Sequence, residues 1–165
     1  MAQLVTIVYD TEDKAEQVFE KIRTLEKEYL IDVEDMAVAV KDEKGKLHVN
    51  QGDSTAAAGA VGGGFWGLLI GMLFFAPFLG AAIGALAGGA AGALADYGID
   101  DNYIKELTAS MQKGNSALFV LFHKANPEKV VPEIARYGGK VIKTSLTTKA
   151  EEQLQSALDH GAASI

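Results

Sequence analysis

The sequence of 165 residues contains no cysteine. Disulfides, thiolate metal sites and cysteine nucleophiles are excluded by that alone. Only three histidines are present, which leaves little material for a metal cluster. Positive charge is the scarcer sign, with 15 Lys+Arg against 22 Asp+Glu and a formal net charge of -7. A nucleic-acid binder needs a basic face to offset phosphate, so no nucleic-acid partner is expected. The sharpest lack is local. Between Asp53 and Asp96 lie 42 residues without one charged side chain.

That window holds 11 of the 18 glycines and 13 alanines. The flanks read as ordinary soluble protein. Residues 1–53 carry 7 basic and 13 acidic groups, and residues 96–165 carry 8 and 9. The organisation is therefore one domain interrupted by a segment of different chemistry. Residues 1–53 form its first half with a β-hairpin, and 54–96 the apolar insert. Residues 97–165 supply a connecting helix, the second half and a C-terminal helix. The opening MAQLVTIVYDTEDK lacks the basic region and cleavage site of a signal peptide, so the flanking parts are expected to fold in the cytoplasm.

The charged parts repeat one pattern. Leu4 to Tyr9 is apolar and β-branched, the signature of a buried strand. Asp10 and Thr11 offer N-cap oxygens for a helix with Ala15, Val18, Phe19, Ile22 and Leu25 on one face. Val33 to Lys41 returns as a strand, and the turn 42–45 leads into a hairpin strand from Lys46 to Gln51. After the insert, Asp100 to Met111 reads as a helix with Ile104, Leu107 and Met111 in register. Ala117 to Phe122 is again a buried strand. Asn126-Pro127 opens a helix with Val130, Val131, Ile134 and Tyr137 on its apolar face. Gly138-Gly139 stops it. Lys140 to Ser145 is the closing strand. Thr148 with Glu151 makes a capping box for a last helix through Leu154 and Leu158. Two βαβ units predict a ferredoxin-like α+β domain with an antiparallel sheet.

The insert carries two glycine series. Gly59, Gly63, Gly67 and Gly71 are each four apart, as are Gly80, Gly84, Gly88 and Gly92, with Pro77 between them. On a helix, residues four apart lie almost in line, so each series is a groove that admits a second backbone. The spacing predicts an antiparallel glycine-zipper α-helical hairpin, roughly 56–75 and 79–95. Each glycine costs about 1 kcal/mol against alanine in a helix interior, so close packing must compensate. Phe65, Trp66, Phe74, Phe75, Pro77 and Phe78 form an apolar tip above a Gly/Ala stem. Against a simple two-span protein stand the missing polar loop at Pro77, acidic flanks at both ends and a mid-segment Trp66. From Trp66 to the turn is about ten residues, about 15 Å of helix or one leaflet. A re-entrant hairpin entering from the cytoplasmic side accounts for this. An all-protein environment in an oligomer is the alternative.

Residues 4–46, the stretch GGGFWGLLIGMLFFAPFLGAAIGALAGGAAGALADYGIDD (62–101), SALFVLFHKA (116–125) and KVIKTSLT (140–147) resemble a bacterial family. It is labelled predicted membrane protein and carries domain of unknown function 1269. The likeness runs over nearly the whole chain. It implies a bacterial, membrane-associated protein and brings no activity or catalytic residues.

Other chemistry is sparse. Gly62 to Gly67 matches G-x-G-x-x-G, but no strand precedes it and the first acid downstream is Asp96, so a zipper helix explains it better. His48, His123 and His160 fall on separate elements without metal-ligand spacing and read as solvated or strand-edge residues. Asp96, Asp100 and Asp101 near Tyr97, with Glu34 and Asp35, would suit a hard cation, but Asp100 is already explained as an N-cap. Tyr9, Tyr29, Tyr97, Tyr103 and Tyr137 share no spacing and read as core-edge residues. The sequence thus points to no catalytic residue, no cofactor, no metal and no small-molecule substrate. It predicts a non-enzymatic homo-oligomer whose partners are itself and membrane lipid, with a scaffold or assembly role on the cytoplasmic face of the inner membrane. The alternative is a soluble cytoplasmic ring or barrel whose hairpins pool into an apolar core or lumen, able to hold lipophilic cargo.

Overall fold

The computed structural model describes residues 3–45, 47–50, 106–107, 109–142 and 147–163. Both glycine series and the apolar tip lie outside them. The described part is α+β, with five strands and three helices. In chain order these are β1 (Gln3–Tyr9), α1 (Lys14–Lys27), β2 (Ile31–Lys41), β3 (Leu47–Asn50), β4 (Ser116–Ala125), α2 (Pro127–Ala135), β5 (Lys140–Ile142) and α3 (Thr148–Ala163). The strands form one sheet in the order β3-β2-β4-β1-β5, and every neighbouring pair is antiparallel. Strands β1 and β4 take the centre because LVTIVY and ALFVLF are apolar at both parities, as strands buried on both faces must be.

Alternation sorts the side chains. Val5, Ile7, Tyr9, Met36, Val38, Leu118, Val120 and Val141 face one core with the helices. Helix α1 contributes Ala15, Val18, Phe19, Ile22 and Leu25, all buried, as its spacing predicts. Helix α2 adds Val130 and Ile134, and α3 adds Leu158. The connection α1–β2 closes by two hydrogen bonds, Tyr29 N–H to Glu26 O (3.0 Å) and Leu30 N–H to Leu25 O (3.0 Å). This is a Schellman motif, and it holds Tyr29 at φ 61, where glycine is usual.

Several boundaries differ from the sequence reading. Helix α1 starts at Lys14 behind Asp13, not at Asp10 or Thr11. The Asp10 carboxylate instead pairs with Lys14 Nζ at 3.0 Å, and Thr11 Oγ1 donates to Asp13. Ser116 explains the later start, since its hydroxyl donates to Thr11 O (2.6 Å) and accepts from Ala15 N–H (3.2 Å), fixing the turn from the neighbouring strand. The cap of α3 is Thr147, whose Oγ1 accepts from Ala150 N–H at 3.2 Å, so the Thr148–Glu151 box does not form. Either threonine fits the local pattern; the backbone selects the earlier one. The turn at 42–45 forms as predicted, with Gly45 N–H on Asp42 O and Gly45 at φ 84.

Candidate functional site

Strand β1 positions the two features of interest, one on each side of the sheet. Leu4, Thr6, Val8, Ala37, Ala39, Ala117, Phe119, Leu121 and Ile142 point away from the three helices, yet all are buried. Antiparallel sheets commonly leave such a face polar and wet. Here it is apolar, and flat where Ala37, Ala39 and Ala117 lie. Leu107 and Met111 are also buried, at the point where the chain returns to the sheet. The return is anchored on β2: Lys41 Nζ donates to Met111 O (3.2 Å), and Gly114 N–H donates to Lys41 O (2.7 Å). The outgoing strand β3 pairs with the same half of β2, from Val38↔Asn50 to Lys41↔Leu47. The chain therefore leaves for residues 51–105 and re-enters beside one half of one strand.

On the helix side a cavity of about 800 Å³ opens between β1, β2, β4, α1, α2 and α3. Val5, Ile7, Ile22, Val120 and Ile134 line it, with Gln3, Lys124, Glu128 and Gln153 as its polar members. A smaller cavity of about 480 Å³ lies at the far end of β1 among Tyr9, Lys14, Ser110, Asn115, Tyr137 and Lys140. Asn115 Nδ2 donates to Ser110 O (2.8 Å) and Lys140 Nζ to Ser110 Oγ (3.4 Å).

Tyr9 is not the core-edge residue its sequence context suggests. It is fully buried, and its hydroxyl meets no hydrogen-bond partner among the described residues. Burial, and then the neighbouring Tyr137, push its ionisation well above the ordinary tyrosine range. Tyr29, in contrast, is 95% exposed.

The histidines are held by local partners. His48 Nε2 lies 2.9 Å from Asp42 Oδ2, and His160 Nδ1 lies 2.6 Å from Ser156 O. His123 Nε2 meets Glu34 Oε2 at 3.1 Å. The last pair has a structural origin. The register of β2 with β4 slips at Asp32/Val33 and again at Val33/Asp35, so His123 and Glu34 are each passed over in the ladder and meet one another. Asp35 caps its neighbour, accepting from Met36 N–H (2.8 Å). Asp96, Asp100, Asp101, Tyr97, Tyr103 and Ile104 lie outside the described residues. Among the described residues no group of three or more His, Asp or Glu could hold a metal ion. Among them, too, no helix is long and apolar enough to cross a membrane.

Sequence reasoning missed the large cavity. Its lining comes from six elements, and no local period marks a wall shared among six. The apolar second face was visible, since both parities of β1 and β4 are hydrophobic. The model of the family described as Protein of unknown function (DUF1269) matches residues 60–159, and the chain belongs to that family. No curated protein and no solved structure matches it.

Proposed function

We propose that this member of the family is a non-enzymatic, self-assembling protein: a ferredoxin-like domain that carries residues 54–96, as a glycine-zipper hairpin, into or onto the cytoplasmic face of a bacterial membrane. The strand order β2-β4-β1-β5 with α1 and α2 on one face agrees with the ferredoxin-like plan, to which β3 is an added edge. The observation that carries the reading is where the chain leaves and re-enters the described domain. It leaves at the end of β3 and is back at Met111, both beside the Val38–Lys41 half of β2, and the 42 uncharged residues 54–95 lie between these points in sequence. A hairpin is the simplest path that comes back to where it left. Its Gly/Ala stem needs a dry partner, and its aromatic tip needs lipid or sister subunits.

Lysing cells without detergent and sizing the fraction that holds the protein tests this directly. Sedimentation with membranes, and an oligomer after mild extraction, is the expected result. A soluble monomer at full yield overturns it.

The apolar second face of the sheet supports one other reading. Ala37, Ala39 and Ala117 would let helices approach closely, which favours a soluble ring or barrel whose inserts rest on sheets rather than in lipid. That assembly is expected to stay in the supernatant as an oligomer, so the same fractionation separates the two.

A further inference from the structure

The helix side of the sheet carries a partly open cavity of about 800 Å³. It lies within the range of small-molecule sites, which are mostly apolar with a few placed polar groups.

Strand register orders its lining from end to end. Gln3 stands opposite Phe122, two residues before Lys124, and Glu128 sits in the first turn of α2 just after β4 ends. These three polar groups share one end of the sheet. At the other end Ile7 lies opposite Leu118 and Val141, with Ile134 from the last turn of α2. The cavity therefore has an end that carries the polar groups, which would serve as its mouth, and a hydrocarbon end. Gln3 to Ile7 spans about 13 Å at strand rise, the reach of an extended chain on the order of ten carbons. The far end is walled by the branched aliphatics Ile7, Val120 and Ile134, and among the described lining residues there no side chain offers a donor or acceptor to satisfy a heteroatom. At the mouth Lys124 and Glu128 oppose each other in sign, which leaves no preference for a charged head. The Gln3 amide there both donates and accepts, as does Gln153 from α3.

We propose that this cavity binds one straight hydrocarbon chain ending in an uncharged hydroxyl or amide head. A fatty alcohol and an acyl amide share that chemistry. The described lining residues all lie outside 54–96, so the proposal does not depend on whether those residues meet a membrane.

The test titrates the full-length protein with 1-decanol, decanamide and decanoate by calorimetry. The first two should bind saturably, one per chain, and more tightly than decanoate. Ala150→Phe fills the cavity from a half-buried position on α3, and should weaken decanol by about tenfold or more by displacing buried chain, with the melting temperature kept. A diazirine-bearing decanol gives a readout that needs no variant. Photo-adducts are expected on β1, α2 and α3. Absence of saturable binding, decanoate as the tightest ligand, or adducts confined to residues 54–96 each overturns the proposal.

Discussion

Tyr9 carries a buried hydroxyl that meets no partner among the described residues. An unsatisfied buried polar group costs about 1–3 kcal/mol. Tyr9→Phe keeps the ring in the core beside Gly139 and removes that cost, so thermal unfolding should show a stabilisation of about 1 kcal/mol. The pH dependence has a definite sign. Burial raises the folded-state ionisation, while an unfolded tyrosine ionises near pH 10. Below that value the group adds no slope. Above it the unfolded state loses the proton first, so stability falls as pH rises, by up to about 1.4 kcal/mol per unit. The difference between wild type and Tyr9→Phe should widen above pH 10 in favour of the variant; parallel curves would count against the assignment. Tyr29 is the opposite case, exposed and held at φ 61. A left-handed conformation costs a non-glycine residue about 1 kcal/mol. Tyr29→Gly at this Schellman position should therefore raise stability by about 0.5–1 kcal/mol in chemical denaturation. Loss of stability instead would mean that the ring does something exposure hides.

Strand β5 is three residues long and ends the sheet, the position most prone to unwanted pairing. One side chain of α3 covers it. Gln155 Oε1 accepts from Val141 N–H at 2.6 Å, and its Nε2 donates to Gly139 O at 3.1 Å. The amide thus imitates the backbone of a further strand. Gln155→Ala should destabilise by about 1–3 kcal/mol, because two part-buried backbone groups lose their partner. Faster exchange of the Val141 amide proton would locate the damage. The helix it sits on offers a second test. Thr147→Ala removes the hydroxyl that caps α3 and should cost about 1 kcal/mol, while Thr148→Ala should cost less. Equal losses would restore the register read from sequence. These elements also show what was legible. The α1 face, the Asn126-Pro127 start and the turn at Gly45 were readable because each obeys a local rule of spacing or dihedral angle. The cap at Ser116, the His123–Glu34 meeting and the Gln155 edge cover were not. Each joins residues distant in sequence or depends on a register slip that no period announces.

For the whole molecule, the described domain accounts for one side of its sheet with three helices and leaves the other side apolar. The chain leaves the described domain at β3 and re-enters it at Met111, with the charge-free residues between these points in sequence. Both readings of the insert require Gly59 to Gly71 to nest against Gly80 to Gly92, since helices this rich in glycine gain stability only from close backbone approach. A leucine in the groove holds the helices apart by the size of its side chain. Gly67→Leu and Gly84→Leu should each reduce the assembly to smaller particles, measured by light scattering on protein extracted in mild detergent. Ala82→Leu, two positions from Gly84 and so off the groove, should leave the size unchanged. The melting profile of the α+β domain should persist in all three, because none of its buried residues is altered. If the groove variants keep the wild-type particle size, the glycine spacing has no part in assembly.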